Sequence, residues 1–471
     1  MSLNRRHAAP KLGIVHLGLG AFFRAFGLPF IEDAIGAGGG DWGVIGVSLR
    51  SPATRDALVG QDWAYTAVTM GPEGEETRQI EVLSDVLVAP ENPEAVIAAM
   101  AHPDTKIVSL TVTEKGYCHV PATGGLNAAH PDIVQDLGQA HPVSAPGYLV
   151  RALQRRRAAG LRPFTVLSCD NLPENGALTR RVVCELARQI DPGLAGWIEA
   201  EGRFPATMVD RITPATTQAD IARLEAKLGV HDAGPVFHEP FRQWVIEDSF
   251  VGDLRPDFAS AGVTLTGEVQ PFEDMKLRML NGAHSALAYL GYLGGHEMIS
   301  DTMSDAIYKR YINDLWSEVI PSVSPPDGVD LHGYAAALQD RFANPGIQHR
   351  TWQIAMDGSQ KLPQRLLHTL AEALEAGRPT DALCLAVAGW MRYVSGTDEA
   401  GAAIDVRDPL AEVLAKTAAS KTAPRDKAVA LLALRDVFPA DLAEQLADPV
   451  GDAAEQLWTK GARRSLEELR V

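Results

Sequence analysis

The chain is poor in cysteine and in metal-binding patterns. Its 471 residues include four cysteines, Cys118, Cys169, Cys184 and Cys384, and no two of them have CxxC spacing. This excludes a disulfide framework and favours buried free thiols. The 13 histidines form no HExxH motif and no convincing ligand pair, so zinc catalysis is disfavoured. We therefore expect a protein that works without a metal.

Positive charge and long apolar runs are also scarce. Asp and Glu outnumber Lys and Arg by 60 to 43, and the net charge of −17 argues against a nucleic-acid or anionic-membrane partner. The longest apolar run, 382–391, is far shorter than the ~20 residues that span a bilayer. The basic start at residues 4–6 is not followed by the apolar stretch of a signal peptide. We expect a cytoplasmic protein acting on a small molecule, and no feature specifies an oligomeric state.

Apolar strands alternate with helical patterns in the first half of the chain. Strands are predicted over 12–20, 42–49, 105–112 and 164–169. Helices are predicted over 22–35, 93–100 and 148–159. This alternation is typical of α/β proteins with a parallel sheet.

The second half is dominated by Ala- and Leu-rich helical patterns. They cover 275–293, 301–319, 361–376, 380–394, 426–436 and 440–470. We predict a Rossmann-type dinucleotide-binding domain over 1–265 and a mainly α-helical substrate and catalytic domain over 266–471. The active site is expected between them.

A glycine turn follows the first predicted strand. Gly18 and Gly20 stand where the backbone must turn tightly and approach a pyrophosphate. The third glycine of the full dinucleotide fingerprint is replaced by Phe23, and a tight turn without a ligand would look the same. The second strand ends without an acidic residue, at Ser48 to Ser51. Arg50 there could meet a 2′-phosphate, so NADP stays an alternative to NAD, or it could be a solvated surface arginine.

The segment 271–295 carries the polar groups that ketone reduction needs. On an α-helix, Glu273, Lys276, Asn281 and His284 fall within an arc of roughly 140°. A partly desolvated lysine can donate a proton, an amide can stabilise an alkoxide, and histidine can orient the substrate. Gly282 inside this helix costs ~1 kcal/mol relative to alanine, which predicts close packing against its backbone. The alternative is an amphipathic surface helix with solvated side chains.

Six strings resemble one family, the polyol-specific long-chain dehydrogenases known as the mannitol dehydrogenase family. They are IVSLTVTEKGYC (107–118), SCDNLPENG (168–176), TMVDRITPAT (207–216), EPFRQWVIED (239–248), MKLRMLNGAHS (275–285) and HRTWQIAMDGSQKLPQRLL (349–367). The resemblance covers nearly the whole chain and is strongest to the family's fructuronate-reducing members. It implies an NADH-dependent reduction of D-fructuronate to D-mannonate. Mannitol or arabitol 2-dehydrogenase, tagaturonate reductase and a non-catalytic nucleotide-binding sensor are the alternatives.

The resemblance also implies roles for single residues. Lys276 would be the general acid/base, Asn171 and Asn281 the oxyanion hole, and His284 the group that orients the substrate; Asp210 would lie behind the lysine, and Glu273 would pass its proton to solvent. The cofactor would lie against Gly18, Gly20, Phe22 and Arg24, with Thr113, Glu114, Lys115 and Gly116 beside the nicotinamide.

Three residues of the string 349–367 are the candidates for binding the substrate. Arg350 and Lys361, with His349 as a weaker candidate, would grip the carboxylate that a uronate has and mannitol lacks. A structural ion pair is the alternative for Arg350. The family's glycine loop usually has two histidines where this chain has Phe23 and Phe26, so any role of those histidines is in question here.

Overall fold

The computed structural model describes residues 2–121 and 123–469. The chain forms two compact units, Met1–Gln270 and Pro271–Val471.

The first unit contains eleven strands among the described residues. They are β1 (Leu12–Leu17), β2 (Gly43–Ser48), β3 (Tyr65–Gly71), β4 (Gly74–Ile80), β5 (Leu83–Val88), β6 (Ile107–Leu110), β7 (Thr165–Ser168), β8 (Thr207–Asp210), β9 (Val236–His238), β10 (Gln243–Glu247) and β11 (Thr264–Thr266). Its helices are α1 (Ala21–Ala25), α2 (Gly27–Gly38), α3 (Ala53–Val59), α4 (Pro93–Ala101), α5 (Pro131–Gly138), α6 (Ala145–Ala158), α7 (Asn175–Ile190), α8 (Pro192–Glu201) and α9 (Gln218–Leu228). Two 3₁₀ turns lie at Glu114–Tyr117 and Val251–Asp253.

A five-stranded parallel sheet organises this unit. Its spatial order is β5-β2-β1-β6-β7, which is 3-2-1-4-5 when its strands are numbered along the chain. This is the order of dinucleotide-binding sheets, whose ligands bind at the carboxyl ends of the strands where the order reverses, here between β1 and β6. The predicted Rossmann-type parallel sheet is confirmed.

Apolar residues cover both faces of the sheet. The successive β1 residues Ile14 and Val15 belong to two different buried clusters, as expected when neighbouring side chains point to opposite faces. Two small sheets, β11-β10-β8 and β4-β3-β9, accompany the main one and were not predicted.

The second unit is helical, as predicted. Its helices, beginning at the unit boundary, are α10 (Gln270–Met275), α11 (Gly282–Leu293), α12 (Ile299–Ser304), α13 (Ala306–Val319), α14 (Leu331–Phe342), α15 (Thr351–Ala355), α16 (Gly358–Leu362), α17 (His368–Glu375), α18 (Asp381–Val394), α19 (Ala411–Ala419), α20 (Pro424–Leu432), α21 (Ala440–Lys460) and α22 (Ala462–Glu468). Turns of π-helix lie at Lys276–Asn281 and Pro363–Leu367, and a 3₁₀ turn lies at Ile320–Ser322. No helix in the described part of the chain is long and apolar enough to cross a membrane.

Some helices differ from the predicted ones. The predicted helix 301–319 is broken at Asp305, whose carboxylate caps α13 by accepting from the Ile307 N–H at 3.0 Å. The helices α14 and α19 were not predicted.

Candidate active site

The glycine turn after β1 has the backbone geometry that the sequence predicts. Gly18 has φ +86°, and a Cβ on it would lie 2.1 Å from the Thr111 carbonyl oxygen, so only glycine fits. Gly20 has an ordinary φ of −101°, and a Cβ there would meet no atom closer than 3.8 Å. Nothing in the surrounding protein therefore requires glycine at position 20, as expected where a ligand must approach the backbone closely.

A buried imidazole supports this turn from behind. Burial lowers the pKa of His16 to about 3, so the ring is neutral. The Thr111 hydroxyl donates to the Gly18 carbonyl at 3.0 Å, so His16 Nε2–H must donate to Thr111 Oγ1 at 3.0 Å. The Ser109 hydroxyl then donates to Nδ1 at 2.9 Å. These bonds hold the turn against β6.

The two phenylalanines that replace the family's usual histidines belong to the core. The Phe23 ring stacks on His16 with 3.4 Å between ring centroids, and Phe26 packs against Phe22 and Trp244. Both Phe23 and Phe26 are fully buried. Their side chains therefore fill the interior and are not available to a bound ligand.

The Arg24 side chain is held by the protein itself. Its guanidinium donates to the Gly234 carbonyl at 2.6 Å and lies over the Tyr65 ring at 5.5 Å. Burial lowers the pKa of Arg24, with Tyr65 and Asp232 opposing that effect. Its predicted contact with a cofactor stays a prediction.

The predicted nicotinamide loop and Asn171 lie at the same sheet edge as the glycine turn. Thr113–Gly116 follow β6, and Asn171 follows β7, the strand beside β6. Since β1, β6 and β7 are parallel neighbours, their carboxyl ends meet at one edge. Thr113, Glu114, Lys115 and Asn171 are exposed there. The first unit thus gathers most of its predicted site residues at its switch point.

Asp210 ends β8, outside the main sheet. It is buried, and its strand pairs antiparallel with β10 so that Asp210 lies opposite Gln243. The Asn175 side chain links this strand to the end of β7. It donates to the Asp170 carbonyl at 3.0 Å and the Thr207 carbonyl at 2.9 Å, and accepts from the Thr207 N–H at 3.0 Å.

In the second unit, Lys276 and Asn281 begin and end a π-helical turn. The sequence predicts one α-helix over 275–293, and this was wrong at Lys276–Asn281. In a π turn the backbone hydrogen bonds join residues i and i+5, so the first and last residues of the turn lie on nearly the same side of the helix. On an α-helix the same two residues would point about 140° apart. The π turn therefore reduces the angle around the helix axis between the proposed acid, Lys276, and the proposed oxyanion donor, Asn281, compared with the predicted α-helix.

Close packing at Gly282 is confirmed. A Cβ there would lie 2.8 Å from the carbonyl oxygen of Arg365, in the second π turn. Lys276 is only 8% exposed, so it is not the solvated surface lysine of the alternative interpretation.

His284 lies in an aromatic and cationic setting. Its ring stacks on Phe342 at 4.3 Å and meets the edge of His349 at 5.0 Å. Burial, with His349, Arg341 and Arg365, lowers the pKa of His284 well below its usual range. Burial and Lys361 lower the pKa of His349 to about 4. Both rings are therefore neutral at pH 7.

The three candidate substrate residues differ in their surroundings. His349 adjoins His284, whereas the Arg350 side chain is 54% exposed and its Nε lies 3.7 Å from a Glu297 carboxylate oxygen. This is the ion pair considered as the alternative for Arg350. Lys361 donates to the Met356 carbonyl at 2.5 Å and the Ile354 carbonyl at 3.5 Å.

Sequence reasoning missed the residues that surround His284. Phe342 ends α14, which was not predicted, and Arg365 lies in the second π turn, where its guanidinium donates to the Ser285 hydroxyl at 3.1 Å. Arg341 precedes Phe342 and is buried. The string 349–367 included Arg365, but nothing in its local pattern connected it with the helix of His284.

Among the described residues, one group could hold a metal ion. The ligand atoms of Cys118, His130 and Asp132 lie within 4.8 Å of one another. However, burial, with Asp132 and Asp136, raises the pKa of Cys118 to about 12, and His130 Nδ1 already accepts from the Asp132 N–H at 3.2 Å. These groups are therefore engaged in local structure.

Comparisons with known proteins follow the division of the chain. Residues 12–259 match the family model of the mannitol dehydrogenase Rossmann domain, and residues 268–458 match that of the mannitol dehydrogenase C-terminal domain. The D-mannonate oxidoreductase of Escherichia coli (strain K12) is 47% identical over 473 residues, which cover 98% of this chain and 96% of that protein. A mannitol 2-dehydrogenase of Phaeosphaeria nodorum is 41% identical, and the match covers 97% of this chain and 81% of that protein.

A solved structure is similar to this chain over nearly its whole length. The Pseudomonas fluorescens mannitol 2-dehydrogenase, in a ternary complex with NAD and D-mannitol, superposes with a TM-score of 0.83 at 37% identity. The match covers 97% of this chain and 94% of that one.

Proposed function

The chain belongs to the mannitol dehydrogenase family, and from this premise we propose that it reduces D-fructuronate to D-mannonate, reversibly, with NADH and without a metal. The observation that carries the dehydrogenase chemistry is the buried Lys276 on a π turn shared with Asn281. The substrate rests on the 47% identity to a D-mannonate oxidoreductase.

The first unit fits a dinucleotide. The turn Gly18–Gly20, with Phe22 and Arg24 behind it, would hold the pyrophosphate, and Thr113, Glu114, Lys115 and Gly116 would line the nicotinamide. NADH supplies the hydride when bound. Similarity to a structure that holds NAD supports this cofactor. Arg50, exposed after β2, keeps NADPH as the alternative to test.

The chemical roles follow from the side chains. Lys276 donates a proton to the ketone oxygen while Asn281 and Asn171 donate hydrogen bonds to the developing alkoxide. Proton transfer of this kind contributes typically 10²- to 10⁴-fold in rate, and one oxyanion donor about 10²- to 10³-fold. The neutral His284 orients the substrate. Asp210 is proposed to lie behind the lysine, and Glu273 is proposed to pass protons between Lys276 and solvent.

The carboxylate of a uronate needs a cationic partner. Lys361 and Arg350 are the proposed partners, with His349 bonding a neighbouring hydroxyl. We propose that residues 1–265 bind the cofactor and that residues 266–471 bind the substrate and supply the acid/base Lys276, with Asn171 and Asp210 contributed by the first segment.

A second candidate is a mannitol 2-dehydrogenase, favoured by the similarity to the mannitol enzymes of Phaeosphaeria nodorum and Pseudomonas fluorescens. Arabitol oxidation and tagaturonate reduction are further variants of the same chemistry. A non-catalytic nucleotide sensor is disfavoured because Lys276 and Asn281 are both present.

The deciding experiment is NADH oxidation by the purified protein against fructuronate, tagaturonate, fructose and xylulose, repeated with NADPH. We expect the highest kcat/KM with fructuronate and NADH. The carboxylate separates the two uronates from fructose and xylulose, and the similarity to a D-mannonate oxidoreductase favours fructuronate over tagaturonate. Robust reduction of fructose without activity on fructuronate would contradict the proposal and support the second candidate.

A further inference from the structure

A buried carboxylate joins two predicted parts of the cofactor side of the site. Asp170 lies after β7, directly before Asn171. Its Oδ2 accepts from the Val112 N–H at 2.9 Å and the Tyr117 hydroxyl at 2.7 Å, and its Oδ1 accepts from the Thr113 N–H at 2.9 Å. All three donors belong to the loop that follows β6.

That loop needs to be held because its backbone is strained at both ends. Thr113 has φ +63° and ψ +165°, a region that is essentially confined to glycine, and Cys118 has φ +52°. The 3₁₀ turn Glu114–Tyr117 lies between them. Two successive backbone N–H groups converge on one carboxylate, and charge-assisted bonds of this type are stronger than neutral ones. The carboxylate thus stabilises a conformation that the loop would otherwise leave.

The backbone of the same residue is fixed as well. The Asp170 carbonyl accepts from the Asn175 side chain at 3.0 Å and from the Leu172 N–H at 2.9 Å. Asn171 therefore stands between two anchored positions. Asp170 therefore contacts both the loop that is predicted to line the nicotinamide and the backbone next to Asn171, the proposed oxyanion donor.

We propose that Asp170 is a positioning residue for hydride transfer, whose carboxylate holds residues 113–116 against the nicotinamide and whose backbone orients Asn171. The inference rests on the proposed function. It assigns to Asp170 no contact with substrate or cofactor.

The donor set explains why a carboxylate stands here and not an amide. All three partners are N–H or O–H donors, and an asparagine would turn an NH₂ group towards at least one of them. Asp170→Asn keeps the shape of the side chain while removing the charge and one acceptor. Tyr117→Phe removes one donor and leaves both N–H bonds.

A matched control exists in the same unit. The buried Asp136 also accepts from two successive N–H groups, those of Val143 at 2.7 Å and Ser144 at 3.3 Å, and from the Ser144 hydroxyl. Asp136→Asn makes the same chemical change at a residue of α5 whose partners, Val143 and Ser144, are not part of the proposed site.

The test measures the NADH dissociation constant by fluorescence, kcat, and the primary deuterium isotope effect with NADH labelled at the transferred position. For Asp170→Asn we expect weaker NADH binding by about three- to tenfold, kcat lower by about 10- to 100-fold, and a larger isotope effect. Tyr117→Phe should shift all three in the same direction by less. Asp136→Asn should lower the unfolding temperature and leave the three values unchanged.

Two results would overturn the inference. One is an Asp170→Asn variant with wild-type NADH affinity and isotope effect, and the other is an Asp136→Asn variant that changes them equally. If Asp170→Asn does not fold, Tyr117→Phe decides by the same readouts. A wild type that binds NADH but reduces no substrate would contradict the proposed function. In that case the NADH affinities of Asp170→Asn and Asp136→Asn alone would test the role of Asp170.

Discussion

At the scale of single residues, Gly282 shows how one missing Cβ sets the packing of the helix that carries Lys276. The Arg365 carbonyl approaches so closely that a Cβ would lie 2.8 Å from its oxygen. The contact is with backbone, which cannot swing aside as a flexible side chain can. Glycine here allows the two π turns to touch.

Replacing this glycine tests the contact. Alanine normally stabilises a helix interior by ~1 kcal/mol relative to glycine. For Gly282→Ala we expect a net destabilisation of about 1–3 kcal/mol, because the backbone of the second π turn must move. Differential scanning fluorimetry and kcat should both show the loss.

The control is Gly196→Ala, in the exposed face of α8, where a Cβ would meet nothing within 4 Å. That variant should be at least as stable as the wild type. Equal stability of Gly282→Ala and Gly196→Ala would contradict the packing argument.

Residue identities were easier to predict than residue surroundings. The chemistry of Lys276 and Asn281 follows from their side-chain types. The ion pair of Arg350 with Glu297 and the carbonyl contacts of Lys361 depend on partners brought close only by folding. From the sequence alone, a substrate contact and a structural ion pair were both open for Arg350.

At the scale of elements, the π turn and α14 determine what surrounds the proposed acid and His284. Apolar spacing predicted a helix over 275–293, and the helix is there. The π turn within it could not be predicted, because such turns are rare and the apolar spacing does not distinguish one from the α-helix around it. Helix α14 was missed although it supplies Phe342, the ring that stacks on His284.

The stack predicts a role for α14 in orienting His284. Phe342→Leu keeps an apolar side chain but removes the ring at 4.3 Å. We expect kcat/KM for the sugar substrate to fall about tenfold, because the imidazole gains rotational freedom. The NADH dissociation constant should not change. Steady-state kinetics and a fluorescence titration measure the two.

Phe438→Leu is the matched variant in the same unit. Phe438 is fully buried and packs on Trp390 at 5.9 Å. It should lose stability and keep kcat/KM. The role of the stack is refuted if both leucine variants have the same kcat/KM.

At the scale of the whole molecule, several buried histidines link stability to pH. The pKa of His238 is lowered to about 4, by burial first and then by Arg211. An unfolded histidine has a pKa of about 6.5. The unfolded chain therefore binds more protons between about pH 4 and 6.5, so the free energy of unfolding falls as the pH falls through this window. His16 and His349 act in the same direction.

His238→Asn isolates one such contribution, since the amide can replace Nδ1 in its bond to the Glu239 carbonyl. Between pH 7 and pH 5 the wild type should lose about 2 kcal/mol more unfolding free energy than the variant. Urea titrations followed by tryptophan fluorescence at the two pH values measure this. A wild type and a His238→Asn variant with the same pH dependence would contradict the assignment.

The broad architecture was predictable because it depends on local patterns. Buried apolar strands alternating with helices predicted the parallel sheet, and Ala- and Leu-rich periodicity predicted the helical unit. The small sheets were not predictable in this way, because β3 pairs with β9 and so joins Ala67 to Val236 across most of the first unit. The spacing of apolar residues along a strand does not show which distant strand it pairs with.

The most direct test of the central claim is Lys276→Ala assayed with NADH and fructuronate. We expect kcat to fall by about 10²- to 10⁴-fold, the usual range for a lost general acid, while the NADH dissociation constant stays within about twofold of the wild type. Turnover at the wild-type rate by the Lys276→Ala variant would contradict the assignment of Lys276 as the acid/base.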